Sequence, residues 1–148
     1  MNLSPHFTLA ELTRTSSGIS NVPTDAEVKA LEALALTLLE PVRAKFGPVS
    51  IHSGYRGPAV NAAIGGSKTS QHMRGEAADF HCAGARLETV MRWIVVESGL
   101  SYGQVILEGH TKGEPTWIHL SLGAPYRLGS SCMQALTFDG KGYAPYKP

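Results

Sequence analysis

Within the run SQHMRGEAADF, residues 70–80, one imidazole, His72, and one carboxylate, Asp79, stand seven positions apart, with Gly75, Ala77 and Ala78 between them. A second imidazole, His119, lies far downstream in TWIHLSL, residues 116–122. Two imidazoles and one carboxylate make a donor set that suits Zn2+ and leaves a fourth tetrahedral position open for water. The small residues would let the backbone pass close to an ion without crowding it. The chain has six histidines, and each also has an ordinary reading as a surface or capping residue. Whether these three side chains meet depends on the elements that carry them.

Side chains of a strand alternate between its two faces. In TWIHLSL, Ile118, Leu120 and Leu122 point one way and Trp117, His119 and Ser121 the other. The aliphatic set faces the core, so His119 faces a cleft or solvent. In AADFHC, residues 77–82, the same parity groups Ala77, Asp79 and His81. Asp79 and His119 can therefore project from neighbouring strands into one concavity, and His72 reaches it from the preceding loop, which Gly75 allows to turn sharply.

Helices must back that sheet. Thr8 with Glu11, and Thr24 with Glu27, have capping-box spacing for a short helix and a long one. Val28, Leu31, Ala35, Leu38 and Val42 recur at helical steps, predicting an amphipathic helix from about residue 25 to about 45, stopped by Gly47 and Pro48. Pro41 predicts a kink or break inside it. VSIHSGYR reads as a short strand entering a loop, and PAVNAAI as a short helix begun by Pro58 and ended by GGS. Residues 85–98 form another helix, with Met91 and Trp93 as packing residues; QVILE, residues 104–108, and TWIHLSL are strands joined by a loop. The tail after Leu122, rich in Gly, Pro and Ser, reads as irregular. The expected fold class is α+β: a small antiparallel sheet packed against N-terminal helices, with a metal site in a cleft on the open sheet face.

Composition narrows the partners. A chain of 148 residues with 43% hydrophobic content suits one domain over residues 1–148. Thirteen basic residues against twelve acidic ones, a formal charge of +1, supply no argument for nucleic acid or an anionic membrane. Residues 1–8, MNLSPHFT, lack the basic start and apolar core of a signal peptide, and no apolar stretch has membrane-spanning length, so neither secretion by a leader nor membrane insertion is expected. Cys82 and Cys132 are expected as reduced thiols, and the chain as a monomer.

Ser70, His72, Gly75, Ala77 and Asp79 resemble the S-x-H-x-x-G-x-A-x-D signature of the zinc D-alanyl-D-alanine carboxypeptidase family, which includes many bacteriophage peptidoglycan endopeptidases. SGYRGPAVNAAIGGS, YGQVILE and WIHLSL resemble further family segments in order, together covering about residues 48–122, and FTLAELTRT is similar to the phage branch. The resemblance implies His72, Asp79 and His119 as zinc ligands, and Arg56 as the group that holds negative charge developing on the substrate. Ser70, Arg56 and His81 would contact the peptide. Family members carry a general-base Glu a few residues before the last histidine, whereas position 116 here is Thr116. That departure leaves Glu108 and Glu114, with His81 behind them. A hairpin placing Glu108 opposite Trp117 sets Glu108 on the face of His119, which favours Glu108. The implied function is zinc-dependent hydrolysis, by water, of an amide bond in the peptide stem of peptidoglycan, as an endopeptidase or D,D-carboxypeptidase. The implied setting is phage lysis from the host cytoplasm, or a virion. The alternative is a non-catalytic zinc-containing binding or virion structural module of the same fold, as in the hedgehog signalling domain.

Overall fold

The computed structural model describes residues 1–108, 115–123 and 133–148. Both capping boxes form: the hydroxyl of Thr8 accepts from Glu11 N at 3.2 Å to start α1 (Leu9–Thr13), and that of Thr24 accepts from Glu27 N at 3.3 Å to start α2 (Asp25–Leu34). The long amphipathic helix is present but not uniform. After α2 the backbone widens into a π-helical turn, Ala35–Leu39, and then resumes as α3 (Glu40–Phe46). The irregularity therefore falls just ahead of Pro41 rather than as a kink at it. Glu40 N reaches back five residues to Ala35 O, and Pro41, which has no N–H to satisfy, sits in the first turn of α3 where that loss costs little. Leu31, Leu34, Ala35, Leu38, Leu39 and Val42 are fully buried. Each large aliphatic side chain in that row contributes about 1.5–3 kcal/mol of burial.

These helices cover one face of a six-stranded sheet in the order β1-β2-β4-β3-β5-β6. The strands are β1 (Val49–Ser53), β2 (Ala77–Cys82), β3 (Tyr102–Glu108), β4 (Trp117–Leu122), β5 (Gln134–Phe138) and β6 (Tyr143–Pro145). Phe80, Val105, Ile118 and Leu120 turn into the core with the helical row. Between β1 and β2 come α4 (Pro58–Ala63) and a single 3-10 turn, Gln71–Arg74; between β2 and β3 come α5 (Leu87–Arg92) and a second π turn, Trp93–Glu97. Trp93 packs edge-on against Phe46, with ring centroids 5.5 Å apart.

Two expectations are corrected. The sheet is mixed rather than antiparallel, because β5 runs parallel to β3, and the tail supplies two strands rather than irregular chain. β5 lies between β3 and β6, and its parallel pairing with β3 comes from a distant segment and leaves no local signal. The turn DGKG that joins it to β6 is a hairpin signal, which the reading of the tail as irregular overlooks. Cys82 is buried in the core with its thiol pushed up to about 11 by that burial, which makes it a packing residue; Cys132 lies outside the described residues. No helix among the described residues is long and apolar enough to cross a membrane.

The N-terminal segment is tied down by a carboxylate. Glu40 accepts from Ser4 Oγ at 2.6 Å and from His6 N at 2.8 Å, and its second oxygen lies 2.8 Å from His6 Nδ1. Burial alone would raise the Glu40 pKa, but the bonds from Ser4 and His6 outweigh it and hold the carboxyl below its ordinary value. A lowered folded pKa means stability that is present above the unfolded value and lost as pH falls through the folded one. Glu40→Ala should therefore cost about 1–2 kcal/mol in urea denaturation at neutral pH. The gap from the unsubstituted chain should close as the pH is taken below the unfolded value of 4.5.

Candidate metal centre

The centre lies on the sheet face opposite the helices. β2 and β4 pair antiparallel with Asp79 directly across from His119, so cross-strand geometry alone brings the two together. His72 comes from the 3-10 turn. Ser70 begins that turn by accepting from His72 N at 3.2 Å, and Gly75 ends it in the left-handed region at φ 69°. A Cβ at Gly75 would also stand 2.6 Å from the carbonyl oxygen of Glu27, so both the handedness and the close approach of α2 require glycine there. His72, Asp79 and His119 are all buried.

Their outer contacts determine which atoms face inward. His72 Nδ1 lies 2.8 Å from Gly54 O, which can only accept, so Nδ1 carries the proton and Nε2 presents a lone pair. His119 Nε2 lies 2.7 Å from Gln71 Oε1, so it donates there and Nδ1 faces inward bare. Asp79 Oδ1 is 3.3 Å from His72 Nε2 and 2.9 Å from His119 Nδ1, and one ligand atom from each of the three residues falls within 4.8 Å of the others. A tetrahedral ion with bonds of about 2.0–2.1 Å places its ligand atoms roughly 3.3–3.4 Å apart. The donor set, its spacing and its outer hydrogen bonds thus fit a divalent ion such as zinc.

The electrostatics agree. Burial by itself would raise the Asp79 pKa, yet His72 and His119 beside it hold the carboxyl well below the usual carboxylate range. Burial works against a proton on His119, while Asp79 and Glu108 pull its pKa above the ordinary histidine value. Without an ion, that steadying comes from imidazole protons; a bound cation would supply the positive charge in their place.

The remaining candidates are distributed around this group. Glu108 pairs across the sheet with Trp117, its Oε1 accepts from Trp117 Nε1 at 3.2 Å, and the same oxygen is 4.0 Å from His119 Nδ1. Burial raises its pKa, with the Asp79 charge assisting and His119 opposing. Arg56 donates to Ser70 Oγ at 3.3 Å, and its Nε is buried with no hydrogen-bond partner among the described residues. Burial lowers its pKa, and Asp79 and Glu108 counter that. Ser70 is thereby a turn cap and a prop for Arg56. His81 shares the open face but turns its Nδ1 to His52 Nε2 at 2.7 Å. Glu114 lies outside the described residues. Arg14, His52, Ser53, Arg56, Asp79 and Trp117 line a common cleft of about 530 Å³.

Sequence reasoning missed Gln71 and the Gly54 carbonyl, which orient the two imidazoles. Neither leaves a spacing signal: one is an amide beside His72, the other a backbone group. A Cβ at Gly54 would run into the carbonyl of Leu12, so this loop is pressed against α1.

Fold and site together define an α+β protein with a buried His-Asp-His group able to hold a metal ion. A family model for peptidase M15 matches residues 5–121, and the chain belongs to that family. A curated relative, the zinc D-Ala-D-Ala carboxypeptidase of Streptomyces albus G, is 35% identical over 77 residues. That match covers 50% of this chain and 30% of the relative, so the chain spans under a third of the relative's length.

Because Gln71 holds the outer nitrogen of His119, Gln71→Ala should weaken divalent-metal affinity by about 10–100-fold. Competition with a chromophoric chelator would measure this, with an unchanged far-UV circular dichroism spectrum showing that the fold is intact.

Proposed function

We propose that the chain is a zinc-dependent peptidase that hydrolyses an amide bond in the peptide stem of bacterial peptidoglycan. The observation that carries the proposal is the convergence of His72, Asp79 and His119, with Asp79 lining a cleft that also holds Arg56 and with Glu108 beside His119. Zinc, when bound by those three residues, supplies Lewis acidity and makes water acidic enough to act as a nucleophile near neutral pH.

The rest of the chemistry belongs to the chain. Glu108, with its pKa raised by burial, is placed to take a proton from the attacking water and return it to the leaving amine. Its bond from Trp117 fixes the carboxylate without neutralising it. Arg56, propped by Ser70, offers an unpaired buried N–H to the oxygen that gains negative charge. Glu108 supports catalysis over a non-catalytic zinc module, since it sets a half-buried carboxylate with a raised pKa 4.0 Å from His119 Nδ1.

The name of the Streptomyces relative supports a D,D-carboxypeptidase, and the resemblance of FTLAELTRT to the phage branch supports an endopeptidase acting in lysis or from a virion. Both bonds are amides of the same stem.

Incubation of zinc-loaded chain with purified muropeptides tests the proposal, and the masses of the fragments identify the bond. Wild type should cleave and His72→Ala should not. Glu108→Gln should retain its zinc while kcat falls by about 10²–10⁴-fold. Wild type that is fully loaded with zinc yet inert on every stem peptide would overturn it.

A further inference from the structure

A second pair of imidazoles stands beside the metal centre and has no part in the chemistry above. β1 carries a bulge opposite β2: Ile51 pairs with Phe80 and Ser53 with Asp79, which leaves His52 as the extra residue. Val49 and Ile51 turn into the core, so alternation puts His52 on the open face, and the bulge leaves it without a partner directly across on β2. There its Nε2 lies 2.7 Å from His81 Nδ1 with ring centroids 4.9 Å apart. Behind it the ring of Trp117 lies 5.8 Å away, tilted by 35°. His52 is exposed and His81 half-buried, and both sit on adjacent paired strands.

We propose that His52 and His81 form a second, weaker zinc site in the wall of the cleft, through which excess zinc obstructs the substrate. A neutral imidazole carries one proton, so in the observed contact one ring donates and the other accepts. If the donor ring moves its proton to its other nitrogen, both lone pairs face the same point, and no net proton is released. The nitrogens must then open from 2.7 Å to the separation that a tetrahedral ion requires, roughly 3.3–3.4 Å. The exposed ring of His52 can supply that movement. Burial and the neighbouring His81 lower the His52 pKa against the pull of Asp79, which keeps the ring unprotonated and available.

This site is distinct from the first. His81 is two residues beyond Asp79 on the same face of β2, about 7 Å along the strand. Co-catalytic metal pairs stand about 3.5–4 Å apart, so an ion on His52 and His81 would not share the first ion's work. It would instead occupy the cleft that His52 and Asp79 both line. The first centre is the only set of three such donors among the described residues, so water or a substrate oxygen must complete the second shell of ligands. With two neutral ligands and no carboxylate, the second site should bind about a hundredfold more weakly than the first.

The binding site stands on its own geometry; only the inhibition rests on the peptidase proposal. Equilibrium dialysis of metal-free chain against zinc should give about two equivalents for wild type, in a tight and a weak class. His52→Asn, which keeps a hydrogen-bonding side chain, and His81→Ala should each retain the tight class and lose the weak one. His6→Ala should keep both, since His6 pairs with Glu40 elsewhere. A single class in wild type, or two unchanged classes in His52→Asn, would overturn the second site. On muropeptides, excess zinc should inhibit wild type and spare His52→Asn; equal inhibition of both would overturn the obstruction. Inactivity of every sample would count against the peptidase proposal alone, with dialysis still deciding the site.

Discussion

A buried carboxylate with two imidazole lone pairs turned towards it is the constraint on which the rest of this structure depends. Asp79 sits in the middle of a sheet, away from water, where an unpaired charge is costly. Its neighbours His72 and His119 steady it, and their outer nitrogens are held by Gly54 O and Gln71 Oε1. The inner atoms face one point, where a bound cation would replace the imidazole protons and be coordinated. Metal binding there would couple to the folding of this face of the sheet.

Holding the three donors in place takes contributions from distant parts of the chain. The pairing of β2 with β4 fixes Asp79 against His119, and small side chains at Ala77 and Ala78 keep β2 close to its surroundings. Gly75 lets the turn that carries His72 lie against α2, and Gly54 presses the loop after β1 against α1. Asn21 reinforces that loop by donating to Tyr55 O at 2.8 Å and accepting from Gly57 N at 2.7 Å. The N-terminal helices thus form one wall of the core and also set the position of the carbonyl that orients His72.

Much of the centre was legible because strand parity is a rigid rule. The alternation in AADFHC and TWIHLSL placed Asp79 and His119 on one face, and a hairpin with Glu108 opposite Trp117 was enough to put Glu108 beside them. Capping boxes at Thr8 and Thr24 marked both helix starts because they are local hydrogen bonds between residues three apart. Features set by distant partners were not legible. The β1 bulge brings Ser53 rather than His52 opposite Asp79, β5 takes one of its pairings from the distant β3, and the π turns leave no mark in the helical spacing. Gln71 carries no sequence signal of its contact with His119, which only the fold makes.

The account's central claim concerns the atoms around one ion, so X-ray absorption at the zinc edge on chain loaded with a single equivalent addresses it most directly. It predicts a four-coordinate shell of nitrogen and oxygen at about 2.0–2.1 Å, with the outer scattering of two imidazoles. A shell with sulfur at about 2.3 Å, or with one imidazole or none, would contradict it.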